Sequence, residues 1–134
     1  MDPRPTPLAG VRVVEIADGR GEMCGRVLAD LGADVVKVEP PGGCSARTQP
    51  PVCGGIGVGF ALRNAGKRSV VADLAADPGR KRLLALLDRA DIWLDAAPHG
   101  LDLRSVRTRN PSLVIVSMSD FGQTGPYRDW IATG

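Results

Sequence analysis

The feature that most limits the fold of this chain is its alternation of short β-branched runs with segments of helical periodicity. Val11 to Ile16 crowds valine and isoleucine together, as a strand buried on both faces does. Comparable runs lie at Asp34–Glu39, Ser69–Asp73, Asp91–Asp95 and Leu113–Met118. Helical segments fall between them: Glu22 to Leu31, a short turn over Phe60–Asn64, one opened by Asp77-Pro78, and one over Leu103–Arg109 closed by Asn110-Pro111. In the first, Met23, Val27, Leu28 and Leu31 share a face, and Gly32 supplies the stop. In the third, Leu83, Leu84 and Leu87 form the apolar stripe. Strands alternating with helices on short links predict βαβ units with right-handed crossovers. The expected fold is α/β: a Rossmann-like parallel sheet of five strands with flanking helices.

Ligands of such sheets bind beyond the carboxyl ends of the strands. That singles out the loops at 17–22, 40–48, 72–77, 95–100 and 119–128. Residues 40–59, rich in glycine and proline, read as a long loop of the functional or mobile kind. The 134 residues suit one domain, 1–134, and 43% of them are hydrophobic, enough for a core. The chain stops one loop past a buried strand, where a doubly wound fold adds a covering helix, so the expectation is an interrupted domain. A net charge of +2 argues neither for nucleic acid nor for a membrane surface, and neither is expected as a partner. No apolar run approaches the roughly 18 residues of a membrane span. Met1 to Pro5 has no apolar signal core behind it. Cys24, Cys44 and Cys53 match no zinc or redox spacing and read as free thiols in a cytoplasmic protein without a metal.

Three local features invite chemistry. Gly19-x-Gly21-x-x-x-Gly25 follows a strand and opens a helix, and Glu39 ends the next strand about 20 residues on, near the dinucleotide fingerprint. Against that, Arg20 and Glu22 bring bulk and charge to the place where pyrophosphate would approach. Lys67-Arg68 could hold a phosphate, but the pair enters a strand, and Arg68 could pair with a carboxylate on a neighbouring element. His99, the sole histidine, sits in a Pro98-His99-Gly100 turn and is expected to face solvent.

Longer phrases carry more weight. Pro7-Leu8-Ala9-Gly10-Val11-Arg12-Val13-Val14-Glu15 resembles the opening of class III CoA-transferases, the CaiB/BaiF family. Ala29-Asp30-Leu31-Gly32-Ala33-Asp34-Val35-Val36-Lys37-Val38-Glu39-Pro40-Pro41-Gly42 is close to a signature of that family. Asn64-Ala65-Gly66-Lys67-Arg68-Ser69, Asp73-Leu74, Arg89-Ala90-Asp91, Asn110-Pro111-Ser112-Leu113-Val114 and Phe121-Gly122-Gln123-Thr124-Gly125-Pro126-Tyr127 continue it in order. The resemblance covers essentially the whole chain. It implies the N-terminal part of the large CoA-transferase domain, a homodimer of interlocked subunits, and acyl-CoA and a carboxylic acid as substrates.

The resemblance also implies where coenzyme A lies. The loop Ala72-Asp73-Leu74-Ala75 would hold the adenosine end, with Leu74 against the adenine; Ala75 departs from the lysine common there. The loop after the fourth predicted strand, often Glu-Asn-Phe in the family, reads Asp95-Ala96-Ala97 and lacks the amide donor. Pro40 stands where some relatives carry a basic residue. Arg104 matches an arginine that reaches a CoA phosphate, a natural role for a planar five-donor cation. Ser119, Phe121 and Gly122 would face the thioester. In active transferases an aspartate follows the Gly-Gln-Thr-Gly-Pro-Tyr stretch, attacks the thioester and forms a mixed anhydride. Here that position falls at or beside Gly134, and Asp129 belongs to the segment before it, so no catalytic residue is assigned. A non-catalytic CoA-binding or structural lobe and, further off, a dinucleotide-binding domain remain as alternative readings.

Overall fold

The computed structural model describes residues 6–132. It contains strands β1 (Arg12–Ile16), β2 (Asp34–Glu39), β3 (Val52–Cys53), β4 (Ile56–Gly57), β5 (Arg68–Val71), β6 (Ile92–Asp95) and β7 (Val114–Ser117). Its helices are α1 (Glu22–Asp30), α2 (Val58–Asn64), α3 (Asp77–Leu87) and α4 (Leu103–Arg109), with a 3-10 turn at Ser45–Thr48. Five strands form one sheet in the order β5-β2-β1-β6-β7, and every neighbouring pair is parallel. All five sequence-predicted strands are present, their ends shifted by two residues or fewer.

The long loop expected over 40–59 is structured instead. It holds a 3-10 turn, fastened to the end of β2 by polar anchors described below, and a β3–β4 hairpin.

The two faces of the sheet differ in chemistry. Val14, Ile16, Val38 and Trp93 meet Leu83 and Leu87 of α3 and Val106 of α4 in an apolar core. Asp102 caps α4, its carboxylate accepting the backbone N–H groups of Arg104 and Ser105, as an N-cap aspartate does. Pro78 at the start of α3 lacks only an N–H that no helical carbonyl could use. Gly79 is buried, and a Cβ there would lie 1.9 Å from the Asp73 carbonyl oxygen, so its bareness lets α3 abut the 72–75 loop.

On the other face lie Val13, Glu15, Val35, Lys37, Glu39 and Leu94, under α1. The predicted apolar stripe of α1 is a correction. Met23, Val27 and Leu31 are exposed, whereas Glu22 and Gly25 are buried. Only Leu28, with Ala29, packs on the Val13–Val35–Leu94 cluster. The helix turns this way because β1 and β2 present charges beneath it.

Candidate functional site: a cleft at the carboxyl edge and its charged support

Glu15 and Lys37 occupy paired positions on β1 and β2, and both are essentially inaccessible. Burying a charge is costly unless its partners satisfy it. Lys37 Nζ donates to Glu22 Oε1 at 2.8 Å and to the Ala17 carbonyl at 2.6 Å, with Glu15 Oε1 at 3.4 Å. Lys67 Nζ donates to both Glu15 oxygens at 2.9 and 2.8 Å, to the Glu22 carbonyl and to Asn64 Oδ1. Arg63 Nε closes the set on Glu22 Oε2 at 2.7 Å. Gly25 makes room for it, since a Cβ there would sit 1.8 Å from Glu15 Oε2.

Burial raises the Glu15 carboxyl above its ordinary pKa even against the pull of Lys67 and Lys37. Burial likewise lowers Lys67, despite Glu15. For Glu22, burial acts upward, but the hydrogen bonds from Lys37 and Arg63 outweigh it and the carboxyl falls below its usual range. Lys67 is thus a structural cation, and Arg68 pairs with Asp34 across the strand ends. The phosphate reading of Lys67-Arg68 has no free donor at Lys67 to support it.

Glu39 anchors the next loop. Arg47 forks onto it, Nε to Oε2 at 2.7 Å and Nη2 to Oε1 at 2.6 Å, and Cys44 N–H donates at 3.0 Å. Ser69 Oγ donates as well. The Arg47 guanidinium also lies over the Phe60 ring, 4.3 Å from its centroid, a favourable cation–π placement. The Arg47 hydrogen bonds hold the Glu39 carboxyl down at about 2. In a dinucleotide site this acid would bind the ribose hydroxyls. Here its oxygens are committed to the protein, which overturns the fingerprint reading of Glu39. Glu22, too, points into the sheet and not toward a ligand.

These anchors shape a cleft of about 580 Å³ at the carboxyl ends of the strands. Ile16 and Ala17, Val38 to Pro40, Gly43 to Ser45, Ala72 to Ala75, and Ala97 with Pro98 line it. Its buried lining is apolar except for Glu39, and the exposed Asp18 and Asp73 also border it. Arg80, which sequence reasoning did not single out, stiffens one wall by donating to the Leu74 and Ala75 carbonyls at 3.0 and 2.9 Å. A smaller adjoining cleft of about 210 Å³ is bounded by Arg20, Asp95 to Pro98, Met118, Ser119 and Gln123. At the opposite end of the sheet a cleft of about 640 Å³ includes Arg12, Asp34, Arg68 and Asp88. Those four charges are ion-paired with protein groups, and that end is the wrong one for ligands of open α/β sheets.

Of the residues implied by the resemblance, Ala72, Asp73, Leu74, Ala75 and Ala97 come together in the main cleft. Ala96 and Ser119 meet in the adjoining one. Arg104 is exposed on α4 and lines neither. Phe121 and Gly122 are exposed in the segment after β7, where Phe121 packs edge-on against Trp130. Gly134 lies outside the described residues. His99 does not face solvent as expected. Its side chain is only 12% exposed and packs edge-on against Trp93.

The sheet order, counting parallel strands along the chain, is third-second-first-fourth-fifth, and the cleft spans its reversal point. Fold and cleft together define a Rossmann-type α/β protein with a cleft at the carboxyl edge of its sheet, where open α/β sheets bind their ligands. The profile described as CoA-transferase family III matches residues 8–134, and the chain belongs to that family. It is 44% identical over 121 residues to a probable CoA-transferase of Mycobacterium tuberculosis, covering 86% of this chain and 15% of the relative. It is 40% identical over 145 residues to the succinate–glutarate CoA-transferase of Agrobacterium fabrum, covering 97% of this chain and 36% of the relative. The crystal structure of a CaiB/BaiF family protein from Brucella suis superposes with a TM-score of 0.87 at 38% identity, over 95% of this chain and 37% of that one. The chain therefore spans little more than a third, or less, of these relatives.

Proposed function

We propose that this chain is the CoA-binding N-terminal part of a CoA-transferase family III protein, and that it forms one unit over residues 1–134. In that reading the main cleft takes the adenosine end of coenzyme A, with the adenine against Leu74 and the loop walls Ala72–Ala75 and Ala97–Pro98 around it. The observation that carries the reading is the cleft itself. It lies at the ligand edge of the sheet, has a largely apolar buried lining suited to a purine, and gathers five of the ten implied CoA-contacting residues. Arg104 would reach a phosphate from its exposed place on α4, and Ser119, Phe121 and Gly122 would approach the thioester.

The reaction of the complete protein would move CoA between an acyl-CoA and a carboxylic acid through an aspartyl anhydride. The chain alone would not turn over, because the nucleophile's position falls at or beside Gly134. A CoA-binding lobe without catalysis is the second reading, and whether an aspartate follows Tyr127 at the family's distance separates the two. An interlocked homodimer and a cytoplasmic location complete the proposal; the three cysteines are free thiols, as suits a reducing compartment.

The test is ligand-induced stabilisation. A ligand that binds only the folded chain raises its stability by RT ln(1 + [L]/Kd). Coenzyme A should raise the melting temperature, and NAD at equal concentration should not. Hydrogen exchange at 72–75 and 96–98 should slow with CoA. Stabilisation by NAD alone would overturn the proposal.

A further inference from the structure

His99 is fixed from three sides. The Leu101 backbone N–H donates to Nδ1 at 3.0 Å, so in the neutral ring the proton sits on Nε2. Nε2 lies 3.3 Å from Asp95 Oδ1, at the end of β6. The ring packs edge-on against Trp93, its centroid 4.8 Å from that of the indole, within the favoured range for aromatic pairs. Asp95 is fixed in turn, because its Oδ2 accepts a hydrogen bond from Ser117 Oγ on β7 at 3.1 Å. The Asp95 side chain is 8% exposed and that of His99 12%. One imidazole therefore spans the loop from the end of β6 to Leu101, bracing Ala96, Ala97 and Pro98 between its two contacts. Those three residues border the clefts.

We infer that His99 is a positioning residue for the ligand-contacting loop after β6, acting through Asp95 and the Leu101 amide and not by touching the ligand. The inference rests on the CoA reading only for the identity of the ligand. The brace itself is a property of the free chain. A histidine serves here because its ring accepts from Leu101 on one edge and brings Nε2 beside Asp95 on the other, which no aliphatic turn residue does. Asparagine can offer its Oδ1 near the place of Nδ1 and keep the Leu101 contact, but it is too short for Asp95. Glutamine can extend an N–H toward Asp95 but does not place an acceptor at Leu101.

The experiment uses the whole chain as His99→Ala, His99→Asn and His99→Gln. Amide exchange of each free protein is read at 96–101 and, as an internal standard, at β6. CoA affinity is read by calorimetry. In His99→Ala the loop amides should exchange faster while those of β6 stay protected, and CoA affinity should fall about three- to tenfold, the effect of losing a modest hydrogen bond. His99→Asn should restore protection at Leu101 and part of the affinity. His99→Gln should leave Leu101 unprotected. Unchanged loop exchange in His99→Ala would overturn the brace. Faster exchange with unchanged CoA affinity would overturn the positioning role. Failure of the unaltered chain to bind CoA would sink the CoA reading, and the exchange data would still decide the brace.

Discussion

Gly25→Ala is the sharpest test of how α1 is seated. In an ordinary helix this change stabilises by about 1 kcal/mol, because alanine loses less backbone entropy. Here the new Cβ would lie 1.8 Å from Glu15 Oε2, 3.0 Å from Glu15 Cδ and 3.2 Å from Lys67 Cε. These are not free ends that can swing away, since both side chains are about 2% exposed or less. The carboxylate must leave Lys67, or α1 must lift from the sheet. Forced overpacking costs roughly 1–3 kcal/mol. Weakening a charge-assisted hydrogen bond costs a further 1.5–3 or so. After the gain in helix propensity, the expected net loss is about 1.5–5 kcal/mol, a fall in melting temperature on the order of 10 °C for a chain this size. Gly59→Ala in α2 is the milder comparison, because its Cβ would meet the Arg63 guanidinium, 3.0 Å away at Nη1, while that group holds Glu22 through Nε. It should cost less than Gly25→Ala. Both variants should be measured by thermal and urea unfolding. A Gly25→Ala chain as stable as the unaltered one would refute the packing argument, whatever Gly59→Ala did.

Three further outcomes are expected. Glu39 has its pKa depressed in the folded chain from an ordinary 4.5 to about 2, so the stability it contributes is complete above 4.5 and lost as pH falls toward 2. Urea unfolding should show an acid loss of roughly 3 kcal/mol over that window, much reduced in Glu39→Gln, and an unaltered acid limb in the variant would place the titration elsewhere. Arg104→Ala should weaken CoA binding by about 1–3 kcal/mol if the guanidinium meets a phosphate, measured by calorimetry, and unchanged affinity would leave Arg104 a surface charge. The 134-residue chain should show no acyl transfer from a short acyl-CoA to a free acid, with hydroxylamine present to trap an anhydride. Turnover lost on Asp129→Asn would identify Asp129 as the nucleophile.

The fold could be read from the sequence because its signals are local. Runs such as Val35-Val36 or Ile115-Val116 announce strands, and Asp77-Pro78 announces a helix start, whatever lies elsewhere in the chain. The network under α1 could not, because each of its charges has a partner far off in sequence. Lys67 meets Glu15 across 52 residues, and Arg63 meets Glu22 across 41. A lysine in Val35-Val36-Lys37-Val38 looks like a strand residue turned to water until its carboxylates are known. The same blindness misplaced the apolar stripe of α1, since helical spacing reports which residues share a face but not what that face meets. Residues 72–75 and 97 are singled out only by the family resemblance, and they line one cleft. Arg80 carried no signal, because a helix arginine that bonds loop carbonyls looks like any other surface charge. His99 misled for a related reason: a turn histidine has no periodicity, and its partners Asp95 and Leu101 acquire meaning only once the loop is closed.

The charged row under α1 also bears on how the sheet assembles without error. Side chains on a strand alternate faces, so sliding β2 by one residue against β1 would turn Lys37 toward Leu83, Leu87 and Trp93, among which it would find no acceptor. Val36 or Val38 would then sit beneath α1, and Glu15 and Glu22 would lose a buried cation. Valine-rich strands offer little protection against such slippage, since one valine replaces another at almost no cost. Ions do, because a buried charge without its counterpart costs several kcal/mol. The Glu15–Lys37–Glu22–Lys67 cluster thus sets an energetic penalty against mispairing, because a sheet with β2 one residue out of step would leave both carboxylates under α1 without Lys37.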